Sequence, residues 1–148
     1  MPPSLSFPPT ELNIKETGKT YKVLCLIRKK WLVLTPEEWV RQHVIGYLIK
    51  KLGISSGRIA VEKSFLYHQR KKRWDIVTFD VFGEPELLIE CKGFEVALTQ
   101  DALQQISSYQ QVIKAKKLVL TNGIQCFVFD FQSWRQGIES IEVHAPQA

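Results

Sequence analysis

Two apolar segments separated by a short turn constrain the fold of this chain more than any other feature. Residues 74–82 and 85–92 have the composition of β-strands, and the intervening Gly83-Glu84 is typical of a two-residue hairpin turn. With that turn, Phe82 lies opposite Pro85 and Asp75 lies opposite Lys92. The sequence therefore predicts an antiparallel hairpin with a defined register.

This register assigns the charged side chains of the hairpin to one face. Because side chains alternate along a strand, Asp75, Glu90 and Lys92 are expected to share a face, with Asp75 and Glu90 as diagonal neighbours. The opposite face is expected to be buried and to carry Trp74, Ile76, Phe82, Leu87, Ile89 and Cys91. A slip of one residue would send Asp75 to the other face, so the predicted site depends on this turn.

Two neighbouring carboxylates and a lysine are the groups that metal-dependent phosphodiester cleavage requires. Asp75 and Glu90 would repel one another unless a cation lay between them, and hard oxygen ligands suit Mg²⁺, with Mn²⁺ as a substitute. Lys92 would face the metal-bound water and the phosphate. The alternative is a solvated strand with outward Glu and Lys, which is the better interpretation of an isolated Glu-x-Lys.

Four segments together resemble the PD-(D/E)XK nuclease superfamily. They are Pro36–Gln42, Trp74-Asp75, Leu88–Lys92 and Gln105–Tyr109, the last being a Gln-x-x-x-Tyr motif like that of RecB-type nucleases. The resemblance is closer to the N-terminal nuclease domain of type I restriction enzyme R subunits and covers about residues 35–123. One departure is Trp74, which stands where the superfamily pattern has proline.

The resemblance implies a role for each matched residue. Asp75, Glu90, Lys92 and Glu38 would line the metal site, and Gln105 and Tyr109 would flank it. In our interpretation Asp75, Glu90 and the backbone carbonyl of Cys91 bind Mg²⁺, and Lys92 orients the attacking water. Cleavage would then leave a 5′-phosphate.

The auxiliary residues have structural explanations as well. Thr35-Pro36-Glu37-Glu38 is a capping box, so Glu38 is equally well explained as part of a helix start. Tyr109 continues an apolar helical stripe that also contains Ala102, Ile106 and Ile113. Gln105 borders that stripe, where an amide could reach a phosphate or brace the metal ligands.

The charge of the chain favours a polyanionic partner. Its 20 Lys and Arg exceed its 15 Asp and Glu, giving a net charge of +5. Arg70, Lys71, Lys72 and Arg73 precede Asp75 directly, and we expect this run to form the turn between strands 59–66 and 74–82. Such a turn would attract a phosphate backbone to the site, although a solvated turn has the same composition.

Periodicity and turn signals predict a single α/β (α+β) domain over residues 21–148. The expected order is helix 36–52, strands 59–67, 74–82 and 85–92, helix 100–115, and strands 117–120 and 125–131, with Asn122-Gly123 as the last turn. This order, α-β-β-β-α-β-β, gives the restriction-endonuclease-like mixed central sheet flanked by helices that the resemblance also implies. A short N-terminal hairpin of 21–27 and 31–34 is added, and residues 1–20 are expected to form an extended tail.

Other classes of site and location are not supported. Cys25, Cys91 and Cys126 lie in apolar runs without metal spacing, which predicts buried thiols and a reducing cytoplasm. We expect no membrane partner, since no segment is long and apolar enough to span a bilayer. The sequence contains no P-loop, so we expect either a stand-alone nuclease or one part of an assembly with a separate motor subunit.

These observations predict a metal-dependent DNA endonuclease-like protein. The first alternative keeps the fold as a catalytically silent nucleic-acid-binding module or subunit, and the second is a protein-interaction domain in which Glu90 and Lys92 form a surface ion pair. DNA is the expected partner, with RNA left open. A homodimer, or separate motor and specificity subunits, is the expected assembly.

Overall fold

The computed structural model describes residues 2–131 and the backbone of residues 141–144. The elements in chain order are β1 (Ile14–Thr17), β2 (Thr20–Leu24), β3 (Trp31–Val33), α1 (Pro36–Lys50), a short 3-10 helix (Ser56–Arg58), β4 (Ile59–Tyr67), β5 (Arg70–Phe79), β6 (Pro85–Cys91), α2 (Gln100–Ile113), β7 (Lys117–Thr121), β8 (Cys126–Asp130) and β9 (Ile141–His144). All the predicted helices and strands within the described residues are present, and β1 and β9 are additional.

The strands form two sheets. A three-stranded sheet has the order β1-β2-β3, and a six-stranded sheet has the order β4-β5-β6-β7-β8-β9. Only the β6–β7 pair is parallel among the described strands, because α2 lies between these strands as a crossover connection. The predicted mixed central sheet flanked by helices is confirmed.

Both faces of the central hairpin are buried, each beneath a different helix. Helix α1 packs Val40 and Val44 into a cluster with Ile76 and Ile89. Helix α2 packs Ile106 and Tyr109 against the alternate residues Val77 and Leu88. The prediction of one buried and one charged face was therefore wrong, because a parallel crossover places its helix on a face that the hairpin alone would leave open.

The predicted two-residue turn between β5 and β6 was also wrong. The connection is a longer loop in which Asp80 Oδ1 accepts hydrogen bonds from the backbone N–H groups of Phe82 and Glu84 at 2.9 and 3.0 Å. Gly83 adopts the left-handed conformation, with φ of 82°. An aspartate that accepts from the backbone two residues ahead is a common turn device, and it sets a loop that the Gly-Glu pair alone did not reveal.

The longer loop shifts the register by two residues. Ile76 pairs with Ile89 instead of Cys91, and Val77 pairs with Leu88 instead of Glu90. An even shift preserves the face of each paired side chain, so Ile76 and Ile89 share a face as predicted.

Two residues leave the predicted apolar face. Phe82 lies in the loop and is 86% exposed. Trp74 packs with Val77 and Leu88 on the α2 side instead of with Ile76. The change of side occurs beside Glu62, where the β4–β5 ladder is interrupted between Val61↔Ile76 and Lys63↔Trp74.

The basic run is part of a strand and not of a turn, contrary to prediction. Arg70 pairs with Tyr67 at the start of β5, and Lys72 pairs with Phe65. The turn consists of His68 and Gln69, both with positive φ, of 49° and 63°. Positive φ at both central residues is the requirement of a tight hairpin turn, which allows pairing to start immediately after it.

The N-terminal residues pack against the domain. Strands β2 and β3 form the predicted hairpin, and β1 adds a strand within the segment expected to be an extended tail. Phe7 is buried in the α1 cluster, and the Ser6 N–H donates to the Gly123 carbonyl at 2.8 Å. The N-terminal segment therefore covers the Asn122-Gly123 turn instead of extending away from it.

The helix ends follow the sequence signals closely. Thr35 is the N-cap of α1, and its hydroxyl accepts from the Glu38 N–H at 3.0 Å, as predicted. The helix ends at Lys50, two residues before the predicted end, and Leu52 is half-exposed instead of packed on the apolar face. Gly53 follows with φ of 67°.

Two further predictions concern the cysteines and membrane-spanning segments. The thiols of Cys25, Cys91 and Cys126 are free and buried, which confirms the prediction. No helix in the described part of the chain has the length and apolar character to cross a membrane.

Candidate metal and catalytic site

Asp75 and Glu90 come together on neighbouring strands. The β5–β6 pairing ends at Ile76↔Ile89, and Asp75 and Glu90 are the next residues of the two strands. Asp75 Oδ2 accepts from the N–H of Cys91, the residue that follows Glu90, and the charge on Asp75 contributes to a raised pKa of Glu90. Their predicted arrangement as diagonal neighbours stays a prediction.

The Asp75 carboxylate is buried and held from two sides. Its Oδ1 accepts from Arg41 Nη2 at 3.0 Å, and its Oδ2 accepts from the Cys91 N–H at 2.6 Å. The structure therefore shows the amide of Cys91 next to Asp75. The metal-binding role predicted for the Cys91 carbonyl stays a prediction.

Glu90 carries the most strongly perturbed carboxyl group of the site. Burial, followed by repulsion from Asp75, raises its pKa from 4.5 to about 8, although Lys92 acts in the opposite direction. Its Oε2 is buried and has no hydrogen-bond partner among the described residues. A buried, unpaired carboxylate oxygen beside a second carboxylate is an arrangement that a cation would relieve.

The perturbed pKa of Glu90 predicts a pH-dependent stability. Between about pH 4.5 and pH 8 the folded protein keeps the Glu90 proton that the unfolded chain loses, so the free energy of unfolding should fall as pH rises through this window. Each pKa unit corresponds to about 1.4 kcal/mol, so we expect a total loss of a few kcal/mol. Urea denaturation in EDTA at several pH values would measure it.

The matched variants for this experiment are Glu90→Gln and Glu16→Gln. Glu16 is exposed on β1, so Glu16→Gln should keep the wild-type pH dependence. Glu90→Gln should remove most of it. Parallel pH profiles for wild type and Glu90→Gln would contradict the buried, protonated Glu90.

Lys92 and Glu37 complete the charged surroundings of the carboxyl pair. The Lys92 ammonium lowers the pKa of both Glu37 and Glu90, so its charge acts on both carboxyl groups. For Glu37, burial and the Asp75 charge outweigh this effect and raise its pKa. Glu37 is thus an acid of the first helix whose pKa depends on the charges of Asp75 and Lys92, and whose own charge raises the pKa of Glu90.

Glu38, the first-helix acid predicted for the site, has other contacts. Its Oε1 accepts from Arg41 Nη1 at 2.6 Å, and its Oε2 accepts from Gln42 Nε2 at 2.9 Å. Arg41 links it to Asp75, because the same guanidinium binds both carboxylates. The metal-binding role predicted for Glu38 stays a prediction, and Glu37 is a second candidate for it.

Gln105 and Tyr109 lie on α2, on the other side of the pair. Tyr109 is buried and contacts Phe65 edge to face, with ring centroids 5.2 Å apart. Burial and the Glu90 charge raise the pKa of its phenol, while a hydrogen bond with Gln105 lowers it. The structure thus places Tyr109 near Glu90 and leaves Gln105 exposed beside it.

The basic run lies along β5, which leads to Asp75. Arg70, Lys71 and Arg73 are exposed, and Arg73 approaches Glu62 at 3.6 Å. A role of these side chains in nucleic-acid binding stays a prediction.

The residues that the sequence analysis missed form an ion-pair network around Arg41. Its guanidinium contacts Glu62 at 2.9 Å, in addition to Glu37, Glu38 and Asp75. Burial would lower the pKa of Arg41, but Asp75 and Glu38 outweigh it and raise the pKa above its ordinary value. One signal was present in the sequence: Arg41 interrupts the apolar segment of α1 at helical spacing from Glu37 and Glu38.

The donor set fits a hard divalent cation. The carboxylates of Asp75 and Glu90 offer the oxygen ligands that Mg²⁺ and Mn²⁺ prefer, and the unpaired Oε2 of Glu90 is available. Within the described residues no group of three His, Cys, Asp or Glu is gathered as metal ligands. A bound ion would therefore take its other ligands from water, backbone or substrate, as Mg²⁺ commonly does.

Comparison with known proteins gives one family match and two structural alignments. Residues 36–143 match the family described as Type I restriction enzyme R protein N terminus (HSDR_N). This match begins at the first residue of α1 and extends into β9. A search of curated proteins found no match.

Two solved structures align with the chain. A fragment assigned as an HsdR subunit of a type I restriction enzyme from Vibrio vulnificus YJ016 aligns over 61% of this chain and 17% of that chain, with 20% identity and a TM-score of 0.43. A protein assigned as a nuclease of the DUF820 group from Anabaena variabilis ATCC 29413 aligns over 81% of this chain and 75% of that chain, with 15% identity and a TM-score of 0.49. The chain thus spans about a sixth of the Vibrio chain.

Proposed function

We propose that this chain, which belongs to the family of type I restriction enzyme R protein N-termini, is a metal-dependent nuclease domain that hydrolyses phosphodiester bonds in DNA. The observation that carries the proposal is the buried pair of Asp75 and Glu90, in which Glu90 Oε2 has no partner and its pKa is raised to about 8. A domain that needed only to fold would have little reason to bury two neighbouring carboxyl groups.

The proposal assigns Mg²⁺ to the two carboxylates. Asp75 and Glu90 hold the ion, which supplies a Lewis acid and an activated water when it is bound. Binding requires Glu90 to lose its proton, so affinity for the ion rises with pH up to about 8. Mn²⁺ substitutes because it prefers the same oxygen ligands.

The other residues act on the substrate and on the ligands. The Lys92 ammonium, whose charge lowers the pKa of Glu90, donates to the phosphodiester and stabilises the charge that develops during cleavage. Arg41 orients Asp75 through the 3.0 Å contact to its Oδ1. Glu37 binds Arg41 at 2.8 Å and helps to hold this guanidinium beside Asp75.

One observation favours the second candidate, a nucleic-acid-binding subunit without turnover. Arg41 already pairs with Asp75, and this internal cation neutralises the charge that a metal ion would otherwise balance. A domain in which Arg41 never releases Asp75 would keep the fold and the basic surface but would not bind the ion.

Titration with Mn²⁺ separates these two functions. We expect wild type to bind one Mn²⁺ ion, detected by isothermal titration calorimetry or by loss of the free-ion EPR signal, with release of a proton near pH 7. Asp75→Asn and Glu90→Gln should each weaken binding at least about tenfold, because ligating carboxylates supply most of the affinity. Glu16→Gln removes a negative charge from the exposed face of β1 and should bind as wild type does. Equal affinity in all four proteins would contradict the proposed metal site.

A further inference from the structure

We infer that the groove between the Ile27–Lys30 loop and the first half of β4 binds the phosphodiester backbone of nucleic acid beside the carboxyl pair. The inference rests on the proposed function and extends it by locating where the substrate is held outside the reacting centre. The groove has a volume of about 530 Å³. Four of its lining side chains are cationic: Arg28, Lys30, Lys63 and Arg73.

The groove follows the terminal strand of the described sheet. Residues 59–63 of β4 line one wall, and the loop that connects β2 to β3 supplies the other. At about 3.3 Å per residue, this wall is roughly 13 Å long. This is the rise of about four nucleotides in one strand of duplex DNA, so the groove is long enough to follow a nucleic-acid backbone.

The single carboxylate in the groove is neutralised by its neighbours. Glu62 Oε2 binds Arg28 Nη1 at 2.7 Å and lies 3.6 Å from Arg73 Nη1, while its Oε1 lies 2.9 Å from Arg41 Nη1. Burial would raise the pKa of Glu62, but these cations outweigh it and lower the pKa. The groove therefore presents a net positive charge to a ligand.

Donors remain available for an anion. Arg28 Nη2 is buried, 3.8 Å from Glu38 Oε1, so Arg28 contributes its positive charge to the groove and not a free donor. Lys30 and Lys63 are exposed, and neither forms an ion pair in the described part of the chain. Two exposed ammonium groups beside a partly buried guanidinium suit phosphate oxygens.

The backbone conformation of Glu62 in β4 links the groove to the carboxyl pair. Glu62 has a φ of 49° within a strand, a conformation that residues other than glycine rarely adopt. This conformation interrupts the β4–β5 ladder and directs the Glu62 carboxylate to Arg41, whose other nitrogen contacts Asp75 at 3.0 Å. One guanidinium thus separates the wall of the groove from the carboxyl pair.

A nucleic acid fits these features better than an acidic polypeptide does. The cations lie on both walls of the groove, Arg28 and Lys30 on the β2–β3 loop and Lys63 and Arg73 on the strands. Exposed Lys71 and Arg70 extend the positive charge along β5, which suits a ligand with a regularly charged backbone. The whole chain has a net charge of +5, which steers such a ligand toward it.

The test is DNA binding by a pair of matched double variants in EDTA, where no metal-dependent turnover interferes. Lys30→Ala/Lys63→Ala alters the groove, and Lys50→Ala/Lys51→Ala removes the same charge from the exposed end of α1. Fluorescence anisotropy of a short labelled duplex and of the corresponding single strand is measured between about 50 and 200 mM salt. Unlabelled polyglutamate serves as the competitor that represents an acidic polypeptide.

The groove variant should bind roughly tenfold more weakly than wild type, while the α1 variant stays within about twofold. Its plot of log affinity against log salt should be less steep by about 1.8 for duplex or 1.4 for single strand, since two phosphate contacts are lost. Equal weakening of both double variants, or unchanged binding by the groove variant, would overturn the inference. Polyglutamate that displaces DNA at equal charge concentration would also overturn it, in favour of an acidic protein.

Failure of this inference can be distinguished from failure of the proposed function. Both double variants should bind Mn²⁺ as wild type does, because neither lysine pair contacts the carboxyl groups. Weak Mn²⁺ binding in all proteins, together with a specific groove effect, would leave the groove as a nucleic-acid site and refute the nuclease proposal.

Discussion

Replacement of Arg41 by methionine is expected to lower the free energy of unfolding by about 3–5 kcal/mol in the absence of metal. The Arg41 guanidinium is buried and is in contact with Glu37, Glu38, Glu62 and Asp75. Methionine preserves much of the volume but leaves these carboxylates without their common cation. An uncompensated buried charge costs far more than the loss of an exposed ion pair.

Urea denaturation in EDTA, followed by far-UV circular dichroism, measures this effect. Arg70→Met is the matched control, because Arg70 is exposed at the start of β5 and should change stability by no more than about 0.5 kcal/mol. Arg41→Lys keeps the charge but loses the fork that contacts several carboxylates at once, so an intermediate loss is expected. A stability of Arg41→Met equal to that of Arg70→Met would show that the network does not stabilise the fold.

The stability of Arg41→Met also tests metal binding by the carboxyl pair. Arg41 occupies Asp75 Oδ1 in the metal-free protein, so its removal leaves the Asp75 and Glu90 pair with a greater need for a cation. We therefore expect Mn²⁺ to restore part of the stability that Arg41→Met loses. Linkage between the ion and the folded state is then visible as a rise in the midpoint of unfolding with Mn²⁺ concentration.

Local sequence signals were sufficient to locate both helices. Thr35 and Pro36 mark the start of α1, and Gly53 follows its end. Each of these signals acts within a few residues and has one dominant physical cause. At a helix start, a backbone N–H without an intrahelical partner needs an acceptor, and after a helix end a left-handed backbone conformation favours glycine. Such signals remain valid whatever the rest of the chain does.

The register of the hairpins depends on which of two possible turns forms. Gly83-Glu84 and the longer loop closed by Asp80 are both compatible with the sequence, and the side chain of Asp80 decides between them. The turn at His68-Gln69 requires two non-glycine residues with positive φ, which composition does not indicate. The basic run was therefore assigned to the turn when it belongs to the strand.

The candidate site could be anticipated only in part. Asp75 and Glu90 belong to the two strands of one hairpin, and the sequence predicts that hairpin. Their proximity could therefore be anticipated from the sequence. The ion pairs of Arg41 with Glu62 and Asp75 join residues from three separate elements, and their contacts depend on how α1 packs on the sheet. The inward orientation of Glu62 also depends on an interruption of the ladder that has no composition signal.

Removal of the Lys92 ammonium should have the largest effect on activity. If Lys92 stabilises the charge that develops on the phosphodiester, Lys92→Met should lower the cleavage rate by at least about 100-fold, the usual cost of losing one such donor. Asp75→Asn should have a comparable or larger effect, because it also weakens the hold on the ion. Lys50→Met removes a lysine from the exposed end of α1 and should leave the rate unchanged.

The most direct test of a metal-dependent nuclease is cleavage of supercoiled plasmid and of single-stranded DNA in Mg²⁺ and in Mn²⁺ by these four proteins. The account predicts cleavage by wild type and Lys50→Met that depends on the ion, and its loss in Lys92→Met and Asp75→Asn preparations that remain folded and bind DNA in EDTA. Equal cleavage by all four preparations, or no cleavage of either substrate by a wild type that binds Mn²⁺, would contradict it.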